Sequence, residues 1–460
     1  MTNISINNFL SCPQDMKSPL LSYRGEILSY ASFFNSINLF KEEILQLRVS
    51  KRHFYLIDEE NPLYFYPLLM ALWSLDIRVV FPNKDFYLDG KGLNIHDFTL
   101  SISKTKHILI TKNSNAIDSF FLEEGDTIVF SSGSTGKAKG ILHWKEHFLD
   151  NAKSVSERVD FSSCVSITLL KPYLVSALSH FLVHYKSGAH LAFVDMDEIG
   201  SLKKVCKTCN SNSIVGSPMQ IINAYKQLEE YRSNIINYFS SGDIMYPNLI
   251  IEILRNNEKA IFYDVYGLAE LGGRFFINIL TSKSTEESFS CIGENISGIK
   301  YKIDAKEILA SSPFLFLGYI VDRVYFPQAR DTWFSTGDLV ESLKDNMQFI
   351  GRKNDEIKVA GNKVSTKFIE KKIASVFNGD IVMIISTEHA FLGNILNMII
   401  YSSKSYGKAE IIRRIQADKV LQAYEFPHKF YYIEDIPYTA TMKIDRNAIK
   451  ILIPTLKIIK

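Results

Sequence analysis

The stretch from Thr127 to Gly140, TIVFSSGSTGKAKG, runs from an apolar β-like run into a loop of small hydroxyl residues, glycines and lysines. Glycines let backbone N–H groups come close to an oxyanion, hydroxyls add donors, and lysines supply positive charge. Ser131, Ser132, Gly133, Ser134, Thr135, Gly136, Lys137 and Lys139 therefore form a candidate cradle for a phosphate chain. It is not a Walker A loop, because Ala138 and not a Ser or Thr follows Lys137.

Four further segments follow in order: Asp264–Glu270 (DVYGLAE), Trp333–Asp338 (WFSTGD), Gly351–Lys363 (GRKNDEIKVAGNK) and Pro437–Arg446 (PYTATMKIDR). Singly, each has a bland reading, since Glu270, Asp338, Arg352 and Lys443 could be solvated surface charges. Together they resemble the signatures of the adenylate-forming superfamily: acyl- and aryl-CoA synthetases, nonribosomal-peptide adenylation domains and luciferase-like enzymes. The resemblance runs over roughly the whole chain, with weaker echoes at Ser240-Ser241-Gly242, Ile292-Gly293 and Lys306-Glu307-Ile308 through Gly318-Tyr319.

That resemblance implies an AMP-forming acid–thiol ligase that uses ATP and Mg²⁺. The Ser131–Lys139 loop would hold the β- and γ-phosphates. Tyr266 and Gly267 would lie by the adenine, Glu270 would hold Mg²⁺, Asp338 would accept from the ribose hydroxyls, and Arg352 would lie beside the nucleotide. Lys443 would bridge the attacking carboxylate and the α-phosphate. Joining two anions in line depends mostly on positioning and charge neutralisation, which explains this choice of residues. A rotation at a hinge near residues 351–355, with Asn354 as pivot, would then admit a thiol, either CoA or the phosphopantetheine of a carrier protein acting in trans.

Departures from the pattern are Ala269 in place of a Thr, Met442 in place of a Gly, Asn354 for Asp and Lys363 for Arg. They admit a second reading, a degenerate adenylating fold that binds nucleotide or a partner without turnover. For the acid, Tyr173, Leu174, Ser217, Gly242 and Val265 are the expected pocket residues, with His180 nearby. Amino-acid-activating relatives place an Asp where Leu174 stands, and an ammonium buried without a counterion is costly. An aryl or medium acyl acid is therefore the expected small carboxylic acid.

These residues need elements to hold them. Apolar β-like runs at Phe54–Ile57, Ile77–Phe81, Ile108–Ile110, Thr127–Phe130 and His190–Val194 alternate with helical patterns, and Leu63–Leu75 reads as a buried core helix. Such alternation predicts an α/β fold: a large multi-layer N-terminal domain with mixed sheets, residues 1–350. Residues 351–460 are expected to form a small mobile α+β domain, with helices at Lys367–Phe377 and Lys408–Tyr424 and strands at Asp380–Ser386 and Asn397–Ser402.

Composition narrows the class. The 52 basic and 50 acidic residues leave a formal charge of +2, which gives no electrostatic footprint for nucleic acid. No apolar run approaches the roughly 20 residues of a membrane span. The N-terminus lacks a basic stretch followed by an apolar one, and five scattered cysteines form no disulfide framework, so a cytoplasmic protein is expected. The Cys206-x-x-Cys209 pair lacks a second pair that would complete a zinc site.

Overall fold

The structure, a computed structural model, describes residues 5–10, 15–82, 96–113, 122–130, 139–195 and 200–460, apart from 322, 331, 344–345, 375, 378–379, 390, 392, 403, 418–420 and 440–442. The fold is the expected α/β class, with a large N-terminal part and a small C-terminal sheet domain. Among the described residues the large part is built on two extensive mixed sheets. One runs, in spatial order, through 294–295, 273–280, 261–268, 237–241, 213–216, 165–168, 190–193, 19–23 and 26–29. The other runs through 324–327, 318–321, 140–143, 127–130, 78–80, 54–57, 98–102 and 108–112.

The central strands are apolar on both faces, as parallel strands covered on both sides must be. Phe54–Ile57 (FYLI) is buried throughout and pairs in parallel with Arg78–Val80. The predicted core helix spans Pro62–Ser74. Asn61 opens it by accepting from the Leu63 N–H at 2.9 Å, and Phe65 to Trp73 are buried without a break. At its far end the Trp73 indole donates to Thr127 Oγ1 at 3.0 Å, which ties the helix to the strand that leads into the hydroxyl- and glycine-rich loop. That loop, Ser131–Ala138, lies outside the described residues, whereas Lys139 is described.

From Lys300 onward the chain forms a smaller antiparallel sheet, 300–304, 307–311, 334–343 and 346–352, then a 3-10 turn at Lys353–Asp355 and a hairpin, Glu356–Val359 with Asn362–Ser365. The remaining sheet orders strands 381–389, 393–401, 429–432 and 457–458, flanked by the helices Thr366–Ala374 and Lys408–Ala417. This last helix is shorter than the periodicity predicts, because Ala423–Glu425 forms its own 3-10 turn, capped by Gln422, whose N–H donates to Glu425 Oε2. One face of this sheet carries Met383, Ile385, Ile399 and Tyr431, which pack with Met219 and Ile222 of the helix Pro218–Gln227. The two parts thus meet across a continuous apolar seam.

Candidate active site

Asp338 sits at the centre of a fully paired cluster. It is completely buried; Tyr266 Oη donates to one carboxylate oxygen at 2.5 Å and Arg352 Nε to the other at 2.8 Å. Burial pushes the Asp338 carboxyl up, with Arg352 and Tyr266 pulling against it. Burial also disfavours the Arg352 charge, but Asp338, Tyr266 and Glu270 outweigh it and hold the guanidinium above its usual range. The local chain explains the placement. Gly337 is left-handed at φ +72, Thr336 Oγ1 donates to the Ile308 carbonyl at 2.7 Å, and Glu307 Oε1 accepts from the Gly337 N–H at 2.9 Å and from Ser335 Oγ. Lys353 closes the set on Glu307 at 3.1 Å.

Tyr266 and Glu270 share one strand-to-turn segment, Ile261–Leu268 followed by Ala269–Leu271. Gly267 permits its close pairing, since a Cβ there would lie 2.0 Å from the Gly273 carbonyl oxygen. Glu270 Oε1 accepts from Tyr319 Oη at 2.8 Å, and Lys139 Nζ lies 5.3 Å from the centre of the Tyr319 ring. Strand pairing of Tyr319 with Ile141 brings these groups together. The carbonyl of Ala269, at the position expected to be Thr, accepts from His143 Nε2 at 2.9 Å, and His143 is itself paired with His147.

Lys443 arrives from the small domain. Its N–H donates to Thr439 Oγ1 at 3.2 Å and its carbonyl accepts from the Thr439 N–H at 2.8 Å, which fixes the backbone that carries the side chain. The next helix, Arg446–Leu452, is capped by Asp445, and Arg446 grips Glu370, whose Oε1 also accepts from the Ile384 N–H. The Lys443 Cε lies 3.7 Å from the place a Cβ on Gly242 would take. Beside it, Lys367 pairs with Asp243 at 2.7 Å. Burial pulls the Lys443 ammonium down, as do Lys367 and Arg352, while Asp243 opposes. Lys443, Lys367 and Arg352 therefore bring positive charge to one seam between the domains.

Of the residues expected to act together, the structure joins Tyr266, Gly267, Asp338 and Arg352, places Glu270 with Lys139, and brings Lys443 to Gly242. Leu174 and Tyr173 stand at the N-terminus of the helix Val175–Ser187, Ser217 opens the helix Pro218–Gln227, and Val265 is buried in the adjoining core. Asn354 lies exposed in the turn Lys353–Asp355. Sequence reasoning met Glu307 and Tyr319 only within weak echoes of the pattern and gave them no role, and it missed Asp243 and Lys367. It also missed Arg274, a buried arginine opposite Gly267 whose Nη1 and Nη2 have no hydrogen-bond partner among the described residues. No group of three or more His, Cys, Asp or Glu among the described residues is placed to hold a metal by itself.

A buried polar cluster on mixed sheets is thus met by a lysine delivered from a second domain. Residues 118–320 match the AMP-binding enzyme family model. The chain is 22% identical over 375 residues to a 2-succinylbenzoate–CoA ligase of Staphylococcus epidermidis, covering 79% of this chain and 76% of the relative. It is 23% identical over 362 residues to a D-alanine–D-alanyl carrier protein ligase of Staphylococcus aureus, covering 71% and 72%. In fold it is similar to the o-succinylbenzoate CoA synthetase of Bacillus subtilis solved with ATP and magnesium ion, with a TM-score of 0.74 at 17% identity over 94% of this chain and 97% of that one. No helix among the described residues is long and apolar enough to cross a membrane.

Proposed function

We propose that the chain activates a small carboxylic acid with ATP as an acyl adenylate and passes the acyl group to a thiol, CoA or the phosphopantetheine of a carrier protein. The observation that supports this most is the delivery of Lys443 across the domain seam to Gly242, beside the Asp338–Tyr266–Arg352 cluster. A carboxylate offers about four lone-pair sites, so Asp338 keeps acceptor capacity for two ribose hydroxyls after Tyr266 and Arg352 have fixed it. In the first step a carboxylate oxygen bonds to the α-phosphorus while the bond to the β-phosphate oxygen breaks and pyrophosphate leaves. Lys443 would neutralise both anions as they meet. In the second step a thiolate attacks the acyl carbon and AMP leaves, with the small domain turning about Asn354 in the 351–355 segment.

Glu270 is the residue that would hold Mg²⁺. A single carboxylate suits that ion, which keeps several waters and binds chiefly through substrate phosphates, where it offsets their charge. The hydroxyl-rich loop at 131–137 would cover those phosphates, with Lys139 at its exit. We read the protein as cytoplasmic, with Cys164, Cys206, Cys209 and Cys291 unbridged.

The test is acid-dependent pyrophosphate release with ATP and Mg²⁺, run for wild type and Lys443→Ala with and without CoA. The panel holds aryl and fatty acids, 2-succinylbenzoate and D-alanine. Release that needs the acid and is lost in the variant supports adenylation, and stimulation by CoA identifies the acceptor. Silence across the panel with ATP still bound would favour the nucleotide-binding fold without turnover.

A further inference from the structure

Arg274 is the charged member of a group of buried polar atoms that have no hydrogen-bond partner among the described residues. It lies on the strand Gly273–Leu280 directly opposite Gly267 of the adenylate segment, and only 4% of its surface is exposed. Its backbone is pinned: Asn151 Nδ2 donates to the Arg274 carbonyl at 2.8 Å and Asn151 Oδ1 accepts from the Arg274 N–H at 3.2 Å. Its guanidinium, by contrast, has the ring of Phe161 at 5.8 Å and no hydrogen bond from either terminal nitrogen among the described residues. Two neighbouring polar atoms share this condition. His180 Nδ1 and Ser179 Oγ, both on the helix Val175–Ser187 whose N-terminus carries Leu174, are buried and have no hydrogen-bond partner among the described residues. His180 packs edge-on to Phe239, and Phe239 stacks on Phe161 and Tyr263, so the ring beside the guanidinium belongs to an aromatic cluster.

An arginine cannot shed its charge as a buried lysine or carboxyl can, and a buried cation without an anion is strongly unfavourable. Five fixed N–H donors match a carboxylate in bidentate fashion. We propose that Arg274 is the specificity-determining residue of the acid pocket, and that it pairs with a second carboxylate on the acid whose first carboxylate is activated at Lys443. The substrate class is then a dicarboxylic acid with an apolar or aryl spacer lying against Phe161 and Phe239, and a substrate ammonium is excluded by like charge. This assignment rests on the adenylation reading for the role of the first carboxylate, and it narrows the expected aryl or medium acyl acid to one that carries a second carboxylate.

The experiment pairs each monoacid with its diacid: octanoate with suberate, hexanoate with adipate, and benzoate with phthalate, isophthalate and terephthalate. Pyrophosphate release and thermal shift are read for wild type, Arg274→Met, Arg274→Lys and Lys443→Ala. Wild type is expected to favour a diacid in kcat/KM by about a hundredfold or more, as sites built around a polar substrate group do. Arg274→Met should lose that preference while still adenylating the monoacid, with Arg274→Lys in between. Without ligand, Arg274→Met should melt no lower than wild type, and diacid should raise the Tm of wild type and of Lys443→Ala but not of Arg274→Met. Equal use of monoacid and diacid, unchanged in Arg274→Met, would overturn the assignment and leave adenylation standing. Diacid stabilisation that depends on Arg274, with no pyrophosphate released from any acid, would uphold the assignment and sink the catalytic reading. A lower Tm for ligand-free Arg274→Met, with no diacid effect on wild type, would make Arg274 structural.

Discussion

Two buried charges lie on either side of the Tyr266–Gly267 segment and are treated in opposite ways. Asp338 is held by Tyr266 and Arg352, and the turn that carries it is fixed by Glu307. Arg274 has the Phe161 ring beside it and, among the described residues, no hydrogen-bond partner for either terminal nitrogen. A site that binds the same nucleotide in every cycle gains from being organised beforehand, since ordering then costs nothing at binding. A pocket that must discriminate gains from a polar group whose only good partner is the ligand, because every wrong ligand leaves it unpaired.

The comparison is broken most severely at the place both regions serve. Lys443→Ala should lower acid-dependent pyrophosphate release on the order of a hundredfold to a thousandfold, as loss of a group that stabilises developing charge does. Thioester formation from a supplied acyl adenylate should survive, and equal loss of both half-reactions in a folded variant would count against the hinge mechanism. Asp338→Asn comes next. It should raise the KM for ATP about tenfold to a hundredfold, the range set by hydrogen bonds to a charged group, with the KM for the acid little changed. A parallel rise in both would mean that the two regions are not separable.

Glu307→Gln sharpens the same point at lower cost. Gln can still accept from the Gly337 N–H, but it gives up the charge that Lys353 and Ser335 meet. Lys353 is largely exposed, so the pair itself contributes little. A rise of a few-fold in the KM for ATP, with kcat within about twofold, is the expected result of a positioning residue. A fall in kcat alone would place Glu307 in contact with the reacting groups instead.

The nucleotide side was legible in the sequence because its parts are local. Tyr266, Gly267 and Glu270 share one strand and turn, and Thr336, Gly337 and Asp338 share another, so residue type and spacing carry the information. Tyr319, Asp243 and Lys367 were not legible, since each acquires its role only when strands or domains distant in sequence are brought together. Tyr319 meets Glu270 through its pairing with Ile141, and Asp243 meets Lys367 across the domain seam. Arg274 left one faint signal, a lone arginine heading the strand GRFFINIL. Nothing local marks it as buried, because the helices Lys145–Arg158 and Val175–Ser187 do the covering. The apolar β-like runs and the core helix at Pro62–Ser74 were readable because burial on every face writes itself into composition.

Asp264, on the same strand as Tyr266, shows what a buried charge does when it has an alternative. Burial pushes its carboxyl up to about 7, with Lys371 of the small domain opposing; Lys371 itself is pulled down to about 8, chiefly by burial. Between the ordinary carboxylate range and about pH 7 the folded protein holds a proton that the unfolded chain has lost. Stability contributed by Asp264 is therefore present at low pH and falls as pH rises through that window. Asp264→Asn mimics the protonated acid and cannot ionise, so the decline in Tm from pH 5 to pH 8 should be smaller in the variant than in wild type. Lys371 has the opposite sign, gaining stability as pH rises above about 8, which leaves the lower window to Asp264. Identical Tm profiles would mean that Asp264 is ionised throughout, held so by Lys371. Burial pulls the Arg274 guanidinium down as well, to about 9, so it still carries its charge at neutral pH, and its relief falls to the ligand anion proposed above.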